Sequence, residues 1–249
     1  MDDKYISWFS CGAASAVATK IALKKYKNVR IIYQDTGSEH PDNKRFLKDC
    51  EQWFGQEIEI TKSEKYNDIW DVFKKTKWLV GPSGARCTSE LKRKVAESII
   101  DWGENQQFEI FGYTFEEKNR MERFKLNNNE RKIVCPLIDK CLTKEDTLGL
   151  IWKAKIKLPK MYELGYRNNN CIGCVKGGAG YWNKIKKDFP DVFKKMAEQE
   201  RELNVAINKT YINGKRSKIF LDELPEDMGN YKNEPSISCG LFCQMESDF

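Results

Sequence analysis

One histidine, His40, serves the whole 249-residue chain. A Ser-His-Asp relay or a histidine-based zinc site is disfavoured on that ground, because His is the usual tuneable base and the commonest metal ligand. No apolar run approaches the ~20 residues that cross a bilayer. The first residues, Met-Asp-Asp-Lys, lack the basic-then-apolar layout of a secretion signal. The expectation is a cytoplasmic protein with no membrane partner. Proline is sparse, at 7, and neither a low-complexity tract nor an internal repeat occurs, which argues against a disordered or solenoid chain.

What is present is a long, well-charged chain with an apolar share large enough for a sizeable core. Lys and Arg exceed Asp and Glu by 43 − 37 = 6, a mild basic excess that suits an anionic partner, nucleotide or nucleic acid, and equally suits solvated lysine-rich helix faces. Nine cysteines without a secretion signal point to metal binding or thiol chemistry ahead of a disulfide framework. With a single histidine, any metal site must be built mainly from cysteine.

Hydrophobic patterning gives a strand over residues 4–9, a helix over 15–26, a strand in "VRIIYQDTG", a helix that stops at Gly55, and a strand candidate with Ile58 and Ile60. A helix over 67–76, a Gly/Pro loop, a helix over 88–101 and a strand "FEIFGY" follow. Strands alternating with helices predict an α/β fold, a parallel sheet with helices on both faces. Ligands of such sheets bind beyond the carboxyl ends of the strands. From Cys135 onward helices and loops are expected, so the chain divides into an α/β core over 1–134 and a C-terminal extension over 135–249, packed as one unit.

Four stretches carry chemistry. "SCGAAS", residues 10–15, sits at a strand-to-helix turn, where backbone N–H groups and the helix dipole favour phosphate. It matches neither G-x-G-x-x-G nor G-x-x-x-x-G-K-[ST], and close helix-on-sheet packing also selects small residues. "QDTGSEHP" offers Asp35 to a ribose or base, although Asp, Gly, Ser and Pro are ordinary in a turn that starts a helix. "RCTSELKRK" puts Cys87 at a helix start among Arg86, Lys92, Arg93 and Lys94, which favours a thiolate ligand or nucleophile and could also hold phosphates. "CIGC" supplies Cys171 and Cys174 at a spacing that suits zinc, an iron–sulfur cluster or a redox dithiol. With Cys87 upstream and Cys239 and Cys243 downstream, a four-thiolate site can be assembled.

In this order the motifs resemble the phosphoadenosine-phosphosulfate (PAPS) reductase-like branch of the adenine-nucleotide alpha-hydrolase, or PP-loop, superfamily. Residues 10–15 sit where that family has S-G-G-x-[DT]-S, Asp35-Thr36-Gly37 matches its D-T-G, and Arg86-Cys87-Thr88 through Lys92 matches R-x-C-T-x-x-L-K. Gly112 to Arg120 echoes G-x-R-x-x-E-x-x-R. The resemblance implies a Rossmann-like sheet binding PAPS, or ATP with magnesium, through Ser10, Cys11, Gly12, Ala13, Ser15, Asp35, Thr36, Gly37, Arg86, Lys92, Gly112 and Arg120.

It also implies sulfonucleotide reduction or sulfur transfer, with Cys87 and Cys239 as catalytic thiols. A 4Fe-4S cluster, zinc being the alternative, would be held by Cys87, Cys171 and Cys174 with Cys239 or Cys243. A sulfur- or electron-donor protein and nucleic acid are the partner classes, and an oligomer is compatible. Ala14 stands where ATP-splitting members often carry Asp, Thr114 replaces the arginine of G-x-R, and the tail reads S-C-G-L-F rather than E-C-G-[IL]-H. Adenylation of a nucleic acid at the expense of ATP, or nucleotide binding without turnover, are the alternatives.

Overall fold

Tyr5, Ile6, Ser7 and Trp8 are all buried, the mark of a strand covered on both faces. The computed structural model describes residues 3–81, 84–100, 107–212 and 215–237. In chain order the elements are β1 (Lys4–Trp8), α1 (Ala13–Lys25), β2 (Val29–Gln34), α2 (Asn43–Phe54), β3 (Glu59–Thr61) and α3 (Ile69–Thr76). A short pair, β4 (Val80–Gly81) and β5 (Gly84–Ala85), precedes α4 (Arg86–Thr88), a π-helical turn (Ser89–Arg93) and α5 (Lys94–Glu97). Then come β6 (Gln107–Ile110), α6 (Lys118–Leu126), β7 (Lys132–Val134), α7 (Pro136–Asp139), α8 (Lys144–Lys153) and α9 (Lys160–Glu163). The last elements are α10 (Ala179–Asp188), α11 (Pro190–Leu203), β8 (Asn208–Ile212) and β9 (Lys215–Ile219).

Two compact units divide these elements. The first comprises Met1–Asp35, His40–Lys62 and Val95–Asn169; the second comprises Thr36–Glu39, Ser63–Lys94 and Asn170–Phe249. In the first, five strands form one sheet in the order β3-β2-β1-β6-β7, every neighbouring pair parallel. Helices flank the sheet, an α/β Rossmann-like architecture. The strand order reverses between β1 and β6, so the turns after these two strands diverge from a common crevice.

Small residues let α1 lie close to β1. Ala13, Ala16, Ala18 and Ala22 are buried, and Thr19 donates to the Ser15 carbonyl at 2.8 Å while its oxygen meets Ser7 Oγ at 2.8 Å. Phe9, Ile31, Phe46, Phe54, Leu137 and Ile151 build the core beside it. Gly55, in the left-handed region at φ 74, ends α2 where the sequence predicts a stop. The alternation expected of Ile58 and Ile60 fails: Ile58 is buried and Ile60 is 56% exposed. β3 is an edge strand that starts only at Glu59, and the Ile58 N–H leaves the strand pattern to donate to Glu51 Oε1 at 3.0 Å.

In the second unit Asp68 caps α3 by accepting from Asp71 N at 2.7 Å. The helix predicted over 88–101 begins earlier, at Arg86, and is interrupted by the π-helical turn. The region after Cys135 is not helices and loops alone: β8 and β9 form an antiparallel hairpin. Glu200 on α11, fully buried, ties this region together by accepting from Ile207 N at 2.5 Å and Leu221 N at 2.7 Å. Among the described residues no helix is long and apolar enough to cross a membrane.

Candidate nucleotide and thiol sites

The turn after β1 holds its small residues in a specific shape. Cys11 lies in the left-handed region at φ 58, which costs a non-glycine residue energy and requires support. Its carbonyl accepts from Asn169 Nδ2 at 2.7 Å, and its buried thiol faces the Asn43 carbonyl at 3.6 Å. Ser10 N and Ser10 Oγ both donate to Ser15 Oγ at 3.1 Å, and Ser15 Oγ donates to the Gly12 carbonyl at 2.9 Å. The two hydroxyls that the sequence offers to a phosphate are thus bonded to each other.

The donors that remain are on the backbone. Gly12 is the N-cap of α1, and the Ala13 N–H is taken by Tyr162 Oη at 3.3 Å. Among the described residues the Ala14 and Ser15 N–H groups have no acceptor, as is usual for a first helical turn. They carry the positive end of the dipole of a 13-residue helix. Gly112, after β6, comes against them: a Cβ there would lie 2.7 Å from both Ser15 N and Ser15 Cα. The glycine is required by this close approach of two backbones.

The other residues of this unit are more engaged than the sequence suggests. Asp35 pairs with Lys62 Nζ at 2.8 Å. Arg120 pairs with Glu117 at 2.5 Å and stacks on Tyr113, its guanidinium 4.9 Å from the ring centre. Thr114, where the resemblance expects arginine, is buried and caps the turn into α6 by donating to Glu117 Oε2 at 3.3 Å. Cys50 and Cys135 are core residues, and burial pushes the Cys135 thiol up to about 12.

In the second unit Thr36 and Ser38 serve the cysteine loop. Thr36 Oγ1 is 3.1 Å from Cys171 Sγ, and the Ser38 carbonyl accepts from Ile172 N at 2.9 Å. Gly37, at φ 66, has the Asn67 carbonyl oxygen where a Cβ would be, 2.2 Å away. Cys171 and Cys174 are both buried, and Tyr181 Oη accepts from Gly173 N at 3.1 Å and Cys174 N at 3.0 Å. The Glu234 carboxylate caps α10 through Gly180 N and Tyr181 N, at 2.6 and 3.0 Å. Asn170 Nδ2 holds the Ile237 carbonyl at 2.9 Å, so the last described residue is fixed beside the residue that precedes Cys171.

Replacing Tyr181 by Phe strips an acceptor from two buried N–H groups. The variant is expected to lose about 1–3 kcal/mol of stability, measured by urea unfolding, with faster alkylation of Cys171 and Cys174.

Cys87 is half-buried at the start of α4, as its sequence position predicts. Its cations are not idle: Arg86 and Lys94 both pair with the buried Glu90, at 2.8 and 2.9 Å. Lys92 lies in the π-helical turn. No three His, Cys, Asp or Glu side chains among the described residues converge to hold a metal ion. Cys87, Cys171 and Cys174 therefore do not make a three-thiolate centre here. Cys239 and Cys243 lie outside the described residues. Tyr162 and Asn169 are the site residues that the sequence reading misses; the asparagine run before Cys171 is the only local signal for either.

Comparison with known proteins gives the family of the fold. A relative from Methanocaldococcus jannaschii, described as an uncharacterized protein, is 24% identical over 202 residues, which are 78% of this chain and 41% of the relative. The chain thus spans less than half of that curated relative. The family model described as the phosphoadenosine phosphosulfate reductase domain matches residues 4–178, and the chain belongs to that family.

Proposed function

We propose that the chain binds an adenine nucleotide with its phosphates at the N-terminus of α1 and carries out a sulfur-linked reaction, reduction of a sulfonucleotide or transfer of sulfur. The observation that carries this is the first turn of α1. Two N–H groups there have no acceptor among the described residues, and the turn that carries them follows β1, where the strand order of the sheet reverses. Family membership supplies the adenine nucleotide as the ligand class.

In this reading the backbone N–H groups of Ala14 and Ser15 hold phosphate oxygens, and Asp35, Thr36 and Gly37 place the nucleoside. Arg86, Lys92 and Arg120 balance charge. For Arg86 and Arg120 that means sharing a guanidinium already paired with a carboxylate, so the helix dipole bears more of the load. The nucleotide-holding residues fall within 1–134; of the thiols, Cys87 alone does, the others falling within 135–249. The thiol step is assigned to Cys87 and Cys239, and Ile237, two residues before Cys239, is anchored beside the Cys171 loop.

The test is direct. Anaerobically purified full-length protein is incubated with a reductant and radiolabelled PAPS, and separately with ATP and magnesium. Sulfite from PAPS supports reduction, and pyrophosphate from ATP supports adenylation ahead of sulfur transfer. Nucleotide bound without either product overturns the catalytic half of the proposal. The absorption spectrum and metal content of the same sample show whether iron, zinc or neither is bound.

A further inference from the structure

Tyr162 brings a phenol from α9 to the N-terminus of α1, 149 residues away in sequence. A tyrosine oxygen has two acceptor sites and one proton. One acceptor site is used by Ala13 N at 3.3 Å, and the Asn169 backbone N–H faces the same oxygen. The proton has no acceptor among the described residues. Burial pushes this phenol up to about 12, so the proton stays on the oxygen at neutral pH. The hydroxyl is therefore a committed donor, held 3.3 Å from where a Gly12 side chain would begin.

Asn169 supplies a second, independent observation. The residue is 6% exposed, and its Nδ2 spends both protons, on the Cys11 carbonyl at 2.7 Å and on Asn43 Oδ1 at 2.8 Å. That pattern fixes which end of the amide is nitrogen. Its Oδ1 is buried and has no partner. Buried polar atoms are rarely left so without a ligand or a water to meet them. One unmet donor and one unmet acceptor are thus anchored to the same turn, residues 11–13.

We propose that Tyr162 is a phosphate-binding residue, its hydroxyl donating to a phosphate oxygen seated at the first turn of α1, and that Asn169 aims it. Asn169 Oδ1 then accepts from a hydroxyl or a phosphate-bound water at the same end of the ligand. The pair fits a nucleoside phosphate, which brings acceptor oxygens and hydroxyl donors together, better than a bare phosphate. This inference rests on the phosphate site proposed above and adds a side-chain ligand to it.

The test compares Tyr162→Phe with the parent by calorimetry of the full chain, using ADP, adenosine and inorganic pyrophosphate. A hydrogen bond to a charged group predicts affinity for ADP and pyrophosphate lower by about tenfold or more, with adenosine unchanged. Equal losses for adenosine and ADP would make the role structural and overturn the inference, as would unchanged ADP affinity. Parent protein that binds pyrophosphate but not ADP would sink the adenine reading and leave Tyr162 standing; binding of neither ligand overturns both. Should the Phe variant unfold, 3-fluorotyrosine at position 162 replaces it: its fluorine resonance shifts on adding pyrophosphate if the hydroxyl meets phosphate, and stays fixed if it does not.

Discussion

Gly112→Ala is expected to weaken nucleotide binding severely while leaving most of the fold intact. The added methyl would lie 2.7 Å from Ser15 N and Cα and 2.9 Å from the Ala14 carbonyl carbon, all backbone atoms with no rotamer to yield. Either the turn after β6 or the first turn of α1 must move. Overpacking of this kind costs about 1–3 kcal/mol, read as a lower urea midpoint. The displacement falls on the Ala14 and Ser15 N–H groups, so adenine-nucleotide affinity should fall by more than about tenfold, since anion binding there depends on aimed backbone donors. Retained affinity in a folded Gly112→Ala protein would mean that phosphates bind elsewhere.

Arg131→Ala is expected to destabilise the protein by about 3–5 kcal/mol. Arg131 Nη1 lies 2.9 Å from Glu109 Oε1, with side chains 4% and 3% exposed, and Trp8 Nε1 donates to Glu109 Oε2 at 2.8 Å. Burial pushes the Glu109 carboxyl up, while Arg131 and Trp8 hold it down. Removing the guanidinium leaves a buried carboxylate on β6 with the indole as its remaining strong partner. The double variant Glu109→Leu with Arg131→Leu should recover part of the loss, because replacing a buried pair by apolar groups is often close to neutral, while Trp8 Nε1 is left without its acceptor. Urea unfolding of the three proteins checks this; an Arg131→Ala protein as stable as the parent would show that Glu109 finds water or another cation.

The parts of this molecule that depend on neighbouring residues are legible in the sequence. Buried runs mark β1 and β2, Gly55 marks the end of α2, and the small residues of 10–16 mark a turn that both packs closely and leaves donors exposed. Gly112 is marked by the resemblance alone, since its contact with Ser15 joins residues far apart in sequence. What escapes is long-range. Tyr162 and Asn169 reach Ala13 and Cys11 across separations of 149 and 158 residues, and no periodicity encodes such a contact.

Charge bookkeeping escapes as well. Arg86, Lys94 and Arg120 read as available cations, yet Glu90 and Glu117 lie one helical turn away and pair with them. The hairpin of β8 and β9 did leave a signal, the Asn213-Gly214 dipeptide between alternating segments, which favours a two-residue hairpin connection. The Thr36 contact with Cys171 joins two motifs that each carry a nucleotide or thiol reading alone.

The most direct test of the central claim is equilibrium binding of ADP and of adenosine to the full-length chain at low and high salt. Phosphates held by the first turn of α1 predict saturable binding of ADP at one site, much weaker binding of adenosine, and competition by inorganic pyrophosphate. ADP and adenosine binding equally well, or ADP binding that pyrophosphate cannot displace, would contradict it.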